Sequence, residues 1–365
     1  MRRSSTNDTT APPWVVPSYK SLFDPERDPV LSPIAIALCC NESYIPGLFG
    51  TAGSALVHAD PRESFTIYVL DTGIRDSTWA RFGELVTRLS PTSTVRRLHP
   101  DLHRFHRCSL LRGDLSFSAY ARLLLPKMLP ELGRLLYLDV DLLVIKSLRD
   151  LWDTPFNGKT AVAVYDQYAP TLAEHCGWLA VDDPERTLPA FNSGVLLLDL
   201  GRWRAAGYDD AMFALLRQYG SQLRFVDQSL LNYLLRHDRT LAPTCWNSLS
   251  LYEKQNTCTS DACIVHFVNY LKPWRRFRDL PEFHLYLHFY DLFLGGFLPA
   301  TLRFHPLPVV RSKKERWKNI AGLCRAVLAG LLLKCPWGRH VLLRHLKRDP
   351  KHADEAFWLE RWLSK

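Results

Sequence analysis

The chain has 365 residues, of which 47% are hydrophobic and 23% charged, the composition of a folded protein with a full core. This excludes a disordered chain and allows one large α/β domain with an appendage, or two smaller domains. The formal net charge is +9, yet residues 301–365 hold 15 Lys and Arg against 5 Asp and Glu, a difference of +10, so residues 1–300 sum to −1. A basic tail on a neutral body indicates an anionic partner, either phospholipid or nucleic acid, or else a solvated face.

The cysteines and the N-terminus both bear on location. Nine cysteines are scattered without a C-x-x-C pair, and no apolar run follows the two arginines at the N-terminus. The longest apolar stretch of the tail, residues 326–333, is too short to span a bilayer. We therefore expect a cytoplasmic protein with reduced cysteines that does not cross a membrane.

Residues 1–30 lack periodicity and are predicted to form a flexible leader. Short apolar runs then predict buried strands, and two segments between them predict helices. The strands are expected at 34–40, 65–70, 134–138, 161–165 and 194–198, and the helices at 78–89 and 119–132. Alternating strands and helices predict an α/β domain over 31–280 with a mainly parallel sheet, whose ligands lie at the carboxyl ends of the strands.

The alternation ends after Pro273, and apolar residues recur at helical spacing from Ile320. The pattern predicts a basic, helical C-terminal extension over 281–365. Interfacial helices on a membrane surface and helices packed on the domain's own core both remain open.

The predicted strand at 134–138 runs directly into Asp139-Val140-Asp141, and a second apolar run follows at 142–145. In an extended strand, residues i and i+2 face the same side, so both carboxylates would enter one cleft. Paired buried carboxylates repel each other unless a cation lies between them, and Mn²⁺ or Mg²⁺ with oxygen ligands would serve. A solvated turn is the alternative, which the apolar flanks disfavour.

Five segments with distinctive residues follow one another along the chain: FSAYARL (117–123), YLDVDLLV (137–144), FNSGVLL (191–197), DQSLLN (227–232) and HFVNYLKPW (266–274). In their sequence, order and spacing they resemble the motifs of glycosyltransferase family 8, over about residues 33–275. The resemblance implies a GT-A fold, a Rossmann-like nucleotide-sugar-binding domain. It also implies retaining transfer of galactose or glucose from a UDP-hexose to a saccharide acceptor, in lipopolysaccharide or other cell-surface glycan synthesis.

The resemblance also implies which residues bind the metal and which bind the diphosphate. Asp139, Asp141 and His266 would hold Mn²⁺ or Mg²⁺, with Val140 between the two aspartates also against the donor. Such a metal bridges the diphosphate and stabilises the charge on departing UDP. Two cations are assigned to the donor as well: Lys272 to the diphosphate and Arg122 to donor hydroxyls or phosphate.

Asn192, Asp227 and Gln228 match positions that line the sugar pocket in the family. Their side chains supply the donors and acceptors that hexose hydroxyls need. Gln228 would lie near the anomeric carbon. Because an amide is a poor nucleophile, same-face attack is favoured over a covalent double displacement.

The turn after the first predicted strand differs from the family pattern. It reads Asn41-Glu42-Ser43-Tyr44, where the family has D-x-N-Y or D-E-N-Y. The Asn41 carbonyl would accept from uracil N3–H and Tyr44 would stack on the base, with Ser43 in the same turn. Because this chain has asparagine where the family has aspartate, the sequence does not establish that it binds uracil nucleotides alone. Asn269 also replaces the family's glycine after the metal histidine.

Two other functions fit the sequence less well. An aspartyl-phosphate hydrolase also has a strand followed by D-x-D, but it requires Thr or Ser where this chain has Leu143. A non-catalytic membrane- or polyanion-binding protein with a degenerate transferase fold would explain the basic tail but not the five segments. The expected acceptor is a saccharide or glycolipid held at an anionic membrane surface on the inner face of the cell membrane, and no nucleic acid partner is expected.

Overall fold

The computed structural model describes residues 31–105, 117–249, 262–268 and Lys272. Ten strands and eight α-helices lie within these ranges. The strands are β1 (Ile34–Cys40), β2 (Phe65–Asp71), β3 (Thr94–Leu98), β4 (Arg134–Leu138), β5 (Leu142–Val144), β6 (Ala161–Tyr165), β7 (Phe191–Asp199), β8 (Arg239–Ala242), β9 (Ser248–Leu249) and β10 (Ile264–His266). The α-helices are α1 (Ile45–Val57), α2 (Asp76–Leu89), α3 (Leu125–Met128), α4 (Arg149–Trp152), α5 (Leu172–His175), α6 (Leu200–Ala205), α7 (Tyr208–Tyr219) and α8 (Asp227–Leu234).

Seven strands form one sheet in the order β3-β2-β1-β4-β7-β6-β8, and β5, β10 and β9 form a small second sheet. The pairs β1/β2, β2/β3, β1/β4 and β6/β8 are parallel. Strand β7 alone is antiparallel to both of its neighbours, β4 and β6. The mainly parallel sheet is confirmed, and its reversed strand brings the N-terminal end of β7 to the edge where β1, β4 and β6 end.

The central strands are buried on both faces, which explains why their sequences are continuous apolar runs. On one face Ile36 and Leu38 of β1 pack into a core with Phe49 of α1 and Phe82 of α2. On the other face alternate residues of β1 pack with Tyr120, Tyr137 and Trp203. Each fully buried aliphatic side chain contributes about 1.5–3 kcal/mol, so the sheet is a rigid support for its carboxyl edge.

The helix predicted over 119–132 is different in the structure. Residues Phe117–Leu124 form a 3₁₀ helix, and only Leu125–Met128 form an α-helical turn. Pro126 explains the change, because it has no N–H to bond the Arg122 carbonyl and its ring would clash with that carbonyl in a continuous α-helix. Arg122 is therefore carried by the 3₁₀ segment.

Several predictions fall outside the described residues. These are the leader at 1–30, most of the segment 269–280 including Asn269, and the extension at 281–365. None of the helices that the structure describes combines the length and hydropathy needed to cross a bilayer. The five cysteines within the described residues are free thiols: Cys39, Cys40, Cys176, Cys245 and Cys263.

Candidate active site

The two aspartates of the D-x-D segment lie in a bend between β4 and β5, rather than in an extended strand as predicted. The chain must change direction there, because β4 belongs to the large sheet and β5 to the small one. His266 ends β10, which pairs with β5 and places His266 opposite Leu142. The bend and this pairing together bring the Asp139, Asp141 and His266 side chains to one point.

One ligand atom from each of these three residues lies within 4.8 Å of the other two. His266 Nε2 is 3.2 Å from an Asp141 carboxylate oxygen and 3.9 Å from one of Asp139. Two carboxylates and an imidazole are donors suited to a hard or borderline divalent cation such as Mn²⁺ or Mg²⁺. The residues therefore fit the metal that the sequence predicts.

Gly194 of β7 makes room for this ligand set. A Cβ at this position would lie 2.3 Å from His266 Cε1 and 2.9 Å from Asp139 Oδ2, closer than any real contact. The Gly194 carbonyl also accepts a 2.8 Å hydrogen bond from the Asp139 N–H. Any side chain at this position would displace the histidine and one aspartate.

Lys272 contacts Asp141, one of the candidate metal ligands. Its buried ammonium contacts Asp141 Oδ2 and donates to the Phe267 carbonyl at 2.8 Å. Burial by itself would raise the pKa of Asp141, but the Lys272 ammonium opposes this effect, and the pKa of Asp141 is held well below its usual range. The predicted contact of Lys272 with a diphosphate stays a prediction.

Arg122 joins the metal ligands to the residues predicted for the sugar. Its guanidinium donates to Asp139 Oδ1 and to the Ser193 carbonyl, both at 2.8 Å, and its Nε lies 3.0 Å from Asp227 Oδ2. It also stacks over the Tyr137 ring, 4.3 Å from the centroid. Burial would lower the pKa of Arg122, but the two carboxylates outweigh it and raise that pKa. The structure thus shows Arg122 bridging two carboxylates, and its predicted contact with the donor stays a prediction.

Asp227 begins α8 and is only 5% exposed. The Arg122 Nε–H does not point at Asp227 Oδ2 well enough to form a hydrogen bond, although the two atoms are close. Within the described residues Asp227 Oδ2 therefore accepts no hydrogen bond. Burial raises the pKa of Asp227 to about 6, since it outweighs the opposing effect of Arg122. Val226, just before it, has φ 53° and ψ −120°, a conformation that costs a β-branched residue on the order of 1–3 kcal/mol.

Gln228 is fixed at both ends of its amide. Its Nε2 donates to Asp166 Oδ2 at 2.8 Å, and its Oε1 accepts from the Ser193 N–H at 3.0 Å. The Ser193 hydroxyl lies 3.3 Å from the same oxygen. Asp166 follows β6 directly, so polar groups at the ends of β6 and β7 hold Gln228 beside Asp227.

Asn192 was predicted to line the sugar pocket, but its oxygen is occupied inside the protein. The side chain is 8% exposed, and Oδ1 accepts from the Gly194 N–H at 3.0 Å and from Asn247 Nδ2 at 2.9 Å. Asn247 in turn places its Oδ1 2.9 Å from His266 Nδ1. The contacts link Asn192 to His266, and its contact with a sugar stays a prediction.

The predicted base-binding turn lies at the end of β1. Asn41 Oδ1 accepts from the Ser43 N–H at 3.0 Å and from the Ser43 hydroxyl at 2.7 Å, which uses both acceptor sites of a carbonyl. A uracil N3–H would have to displace one of these donors. Tyr44 is partly buried in the adjoining turn. Val140 is 7% exposed with its side chain in the core, so a donor could reach only its backbone.

Sequence reasoning did not select four residues that hold this site together: Tyr137, Asp166, Ser193 and Asn247. Asp166 could have been found, because it follows a predicted strand as Asp139 does. Tyr137, which donates to Asp139 Oδ1 at 2.9 Å, reads as an ordinary core residue of its strand. Asn247 ends a 3₁₀ turn, and no local pattern distinguishes it.

A mainly parallel sheet with a D-x-D bend, a histidine from a second sheet and amide side chains at its carboxyl edge is the arrangement of a GT-A nucleotide-sugar transferase. The sequence model of glycosyltransferase family 8 matches residues 35–278. The chain belongs to glycosyltransferase family 8, and it is therefore a glycosyltransferase.

Individual relatives agree with this family. General stress protein A of Bacillus subtilis is 26% identical over 271 residues, which cover 70% of this chain and 92% of that protein. The lipopolysaccharide 1,2-glucosyltransferase of Escherichia coli K12 is 23% identical over 262 residues, 69% of this chain and 75% of that protein. The galactosyltransferase LgtC, solved with donor and acceptor sugar analogues, shares the fold with a TM-score of 0.56 at 23% identity, over 78% of this chain and 100% of LgtC.

We predict that Gly194→Ala lowers the affinity for Mn²⁺ by at least about tenfold, the size of effect seen when metal ligands are misplaced. The added methyl group would collide with His266 and Asp139. The control is Gly83→Ala in α2, where a Cβ meets nothing within 4 Å and a helix gains up to about 1 kcal/mol. Calorimetric titration measures the Mn²⁺ affinity of both variants. Equal affinities in Gly194→Ala and Gly83→Ala would show that a methyl group at position 194 does not displace His266 and Asp139.

The raised pKa of Asp227 predicts a specific pH dependence of stability. Between the ordinary value of 3.8 and the folded value of about 6, the folded protein keeps a proton that the unfolded chain has lost. The free energy of unfolding should therefore fall as pH rises through this window, by about 2–3 kcal/mol relative to Asp227→Asn. Urea unfolding of both proteins in EDTA, from pH 4 to pH 6.5, measures the difference. If the free energy of unfolding changed with pH in the same way in both proteins, the pKa of Asp227 would not be raised.

Proposed function

We propose that this glycosyltransferase is a metal-dependent, retaining hexosyltransferase that moves galactose or glucose from a UDP-hexose to a saccharide or glycolipid acceptor. One observation carries the proposal: a two-aspartate, one-histidine ligand set is joined through Arg122 and Ser193 to Asp227 and Gln228. A metal-diphosphate site and a sugar site would then be neighbours, as cleavage of a sugar–diphosphate bond requires.

The diphosphate half of the site is built from Asp139, Asp141, His266 and Lys272. A divalent metal bound there would stabilise the negative charge on the departing diphosphate. Lys272, whose ammonium is already at Asp141, is close enough to share that charge once a phosphate approaches. Arg122 orients Asp139 by its 2.8 Å hydrogen bond.

The sugar half favours same-face attack. Both acceptor sites of the Gln228 carbonyl face donors on Ser193, and Asp227 is covered by Arg122. Neither oxygen is well placed to act as a nucleophile on the anomeric carbon. Fixed dipoles of this kind instead stabilise positive charge that develops on the sugar ring. We therefore propose that the acceptor hydroxyl attacks on the face that UDP leaves.

The acceptor class is proposed from the relatives. One is named for lipopolysaccharide glucosyl transfer, and LgtC is a galactosyltransferase solved with an acceptor sugar analogue. A cell-surface glycan, such as a lipopolysaccharide core, is the acceptor that we propose for this chain.

The first test is titration of UDP into the full chain by calorimetry, with and without Mn²⁺. We expect Mn²⁺-dependent binding that Asp139→Asn/Asp141→Asn weakens by at least about 100-fold, because both oxygen ligands lose their charge. Asp182→Asn, in an exposed loop, is the control and should bind as the wild type does. Hydrolysis of UDP-galactose and UDP-glucose without an acceptor then reports which donor is used.

Two results would contradict this proposal. Binding of UDP that ignores Mn²⁺ would remove the metal from the function. Failure to bind any nucleotide sugar would favour a degenerate transferase fold that acts through the basic tail.

We also propose that the tail contacts an anionic membrane surface at the inner face of the cell membrane, on the strength of the excess of +10 over residues 301–365. The full chain should sediment with phosphatidylglycerol vesicles at low salt and be released at high salt. Reversal of Lys313, Lys314 and Arg316 to Glu should abolish sedimentation. The control reverses three exposed charges of the neutral body, Arg81, Lys127 and Arg217, with the same change in net charge. Equal loss in both variants would show that only total charge matters.

A further inference from the structure

A chain of buried hydrogen bonds runs from the backbone of β7 to the metal histidine. The Gly194 N–H donates to Asn192 Oδ1 at 3.0 Å, and Asn247 Nδ2 donates to the same oxygen at 2.9 Å. At the other end of the Asn247 amide, Oδ1 lies 2.9 Å from His266 Nδ1. Asn247 is 1% exposed, so water does not compete for these bonds.

The hydrogen bond from the Gly194 N–H to Asn192 determines the direction of the two hydrogen bonds that follow it. A backbone N–H can only donate, so the atom of Asn192 that faces Gly194 must be its oxygen. The Asn247 atom that approaches this oxygen must then be its amide nitrogen. The opposite end of the Asn247 side chain, its carbonyl oxygen, therefore faces His266.

We propose that Asn247 is a positioning residue that holds His266 in the tautomer required for metal binding. A carbonyl oxygen can only accept, so His266 must carry its proton on Nδ1. Its Nε2 then keeps a lone pair, on the side where Asp141 lies 3.2 Å away and Asp139 3.9 Å away. The inference rests on the proposed metal-dependent function, to which it adds the residue that prepares the third ligand.

Strand β7 positions both the histidine and one aspartate of the ligand set. The Gly194 N–H sets the direction of the Asn192–Asn247–His266 chain, while the Gly194 carbonyl accepts from the Asp139 N–H at 2.8 Å. Partners that orient a ligating histidine typically contribute about 10- to 100-fold in metal affinity. Asparagine suits position 247 because it presents a donor to Asn192 and an acceptor to His266, which a carboxylate cannot do.

The test compares Mn²⁺ affinity in the full chain, read from the electron paramagnetic resonance of free Mn²⁺, which needs neither donor nor acceptor. Asn247→Leu removes the acceptor at similar volume, and we expect its dissociation constant to rise about 10- to 100-fold. Asn247→Asp keeps an acceptor for Nδ1 but sets a carboxylate oxygen, in place of the N–H donor, against Asn192 Oδ1. It should therefore bind Mn²⁺ more tightly than Asn247→Leu and recover most of the wild-type affinity. Rescue by aspartate separates orientation of His266 from mere packing.

Thr160→Val is the control for a general loss of stability. Thr160 is fully buried and bonds to Asp238 at the start of β6, at the opposite end of that strand from Asp166. This variant should unfold at a lower temperature and bind Mn²⁺ normally. If Asn247→Leu does not fold, Asn192→Leu is the second variant, because it frees the Asn247 amide to rotate and should weaken Mn²⁺ binding in the same way.

A second readout follows the tautomer itself in protein loaded with diamagnetic Mg²⁺. Nitrogen-15 spectra of the histidine rings, with His266→Gln to assign the signal, should show His266 protonated at Nδ1 in the wild type and in Asn247→Asp. The Nδ1 proton should exchange rapidly in Asn247→Leu. Normal Mn²⁺ affinity in Asn247→Leu, or a wild-type His266 protonated at Nε2, would overturn the inference alone. Absence of metal binding in the wild type would overturn the proposed function and the inference with it.

Discussion

The structure depends on how three carboxylates are kept together at the edge of one sheet. Asp139, Asp141 and Asp227 lie near one another, and two fixed cations, Arg122 and Lys272, contact them. Counted over these five groups, one negative charge is left. A bound divalent ion would change the balance to one positive charge, which suits a diphosphate. The two cations thus offset most of the repulsion among the three carboxylates, and the remaining negative charge favours a divalent cation.

Strand β7 is the element that joins the two halves of the site. At its N-terminal end, Ser193 holds Gln228, and Asn192 accepts hydrogen bonds from Gly194 and Asn247. The Gly194 carbonyl also holds the backbone of Asp139. It can reach all of these only because it runs antiparallel to β4 and β6. A parallel strand in this place would present its carboxyl end instead, with different residues.

Much of the fold could be predicted from local sequence. The strands at 34–40, 134–138 and 161–165 have the predicted bounds, because strands buried on both faces are continuous apolar runs. The three metal-ligand candidates also converge as the resemblance implied. The reversal of β7 and the partners of Arg122, Lys272 and Asn247 could not be predicted, since they depend on which distant segments meet. Asn247 and His266 are 19 residues apart, and Asp141 and Lys272 are 131 apart.

That last separation has a consequence for how the protein folds. Strands β5 and β10 pair residue 142 with residue 266, so the small sheet closes a very long loop and its contacts are among the most non-local in the chain. Such contacts form late, because the entropy of closing the loop must be overcome first. During synthesis the sheet strands β1, β2, β3 and β4 leave the ribosome well before β10. Asp139 and Asp141 then exist for a time without His266 and without the lysine that later offsets their charge, so the three candidate ligands and Lys272 come together only when the chain has been made beyond residue 272.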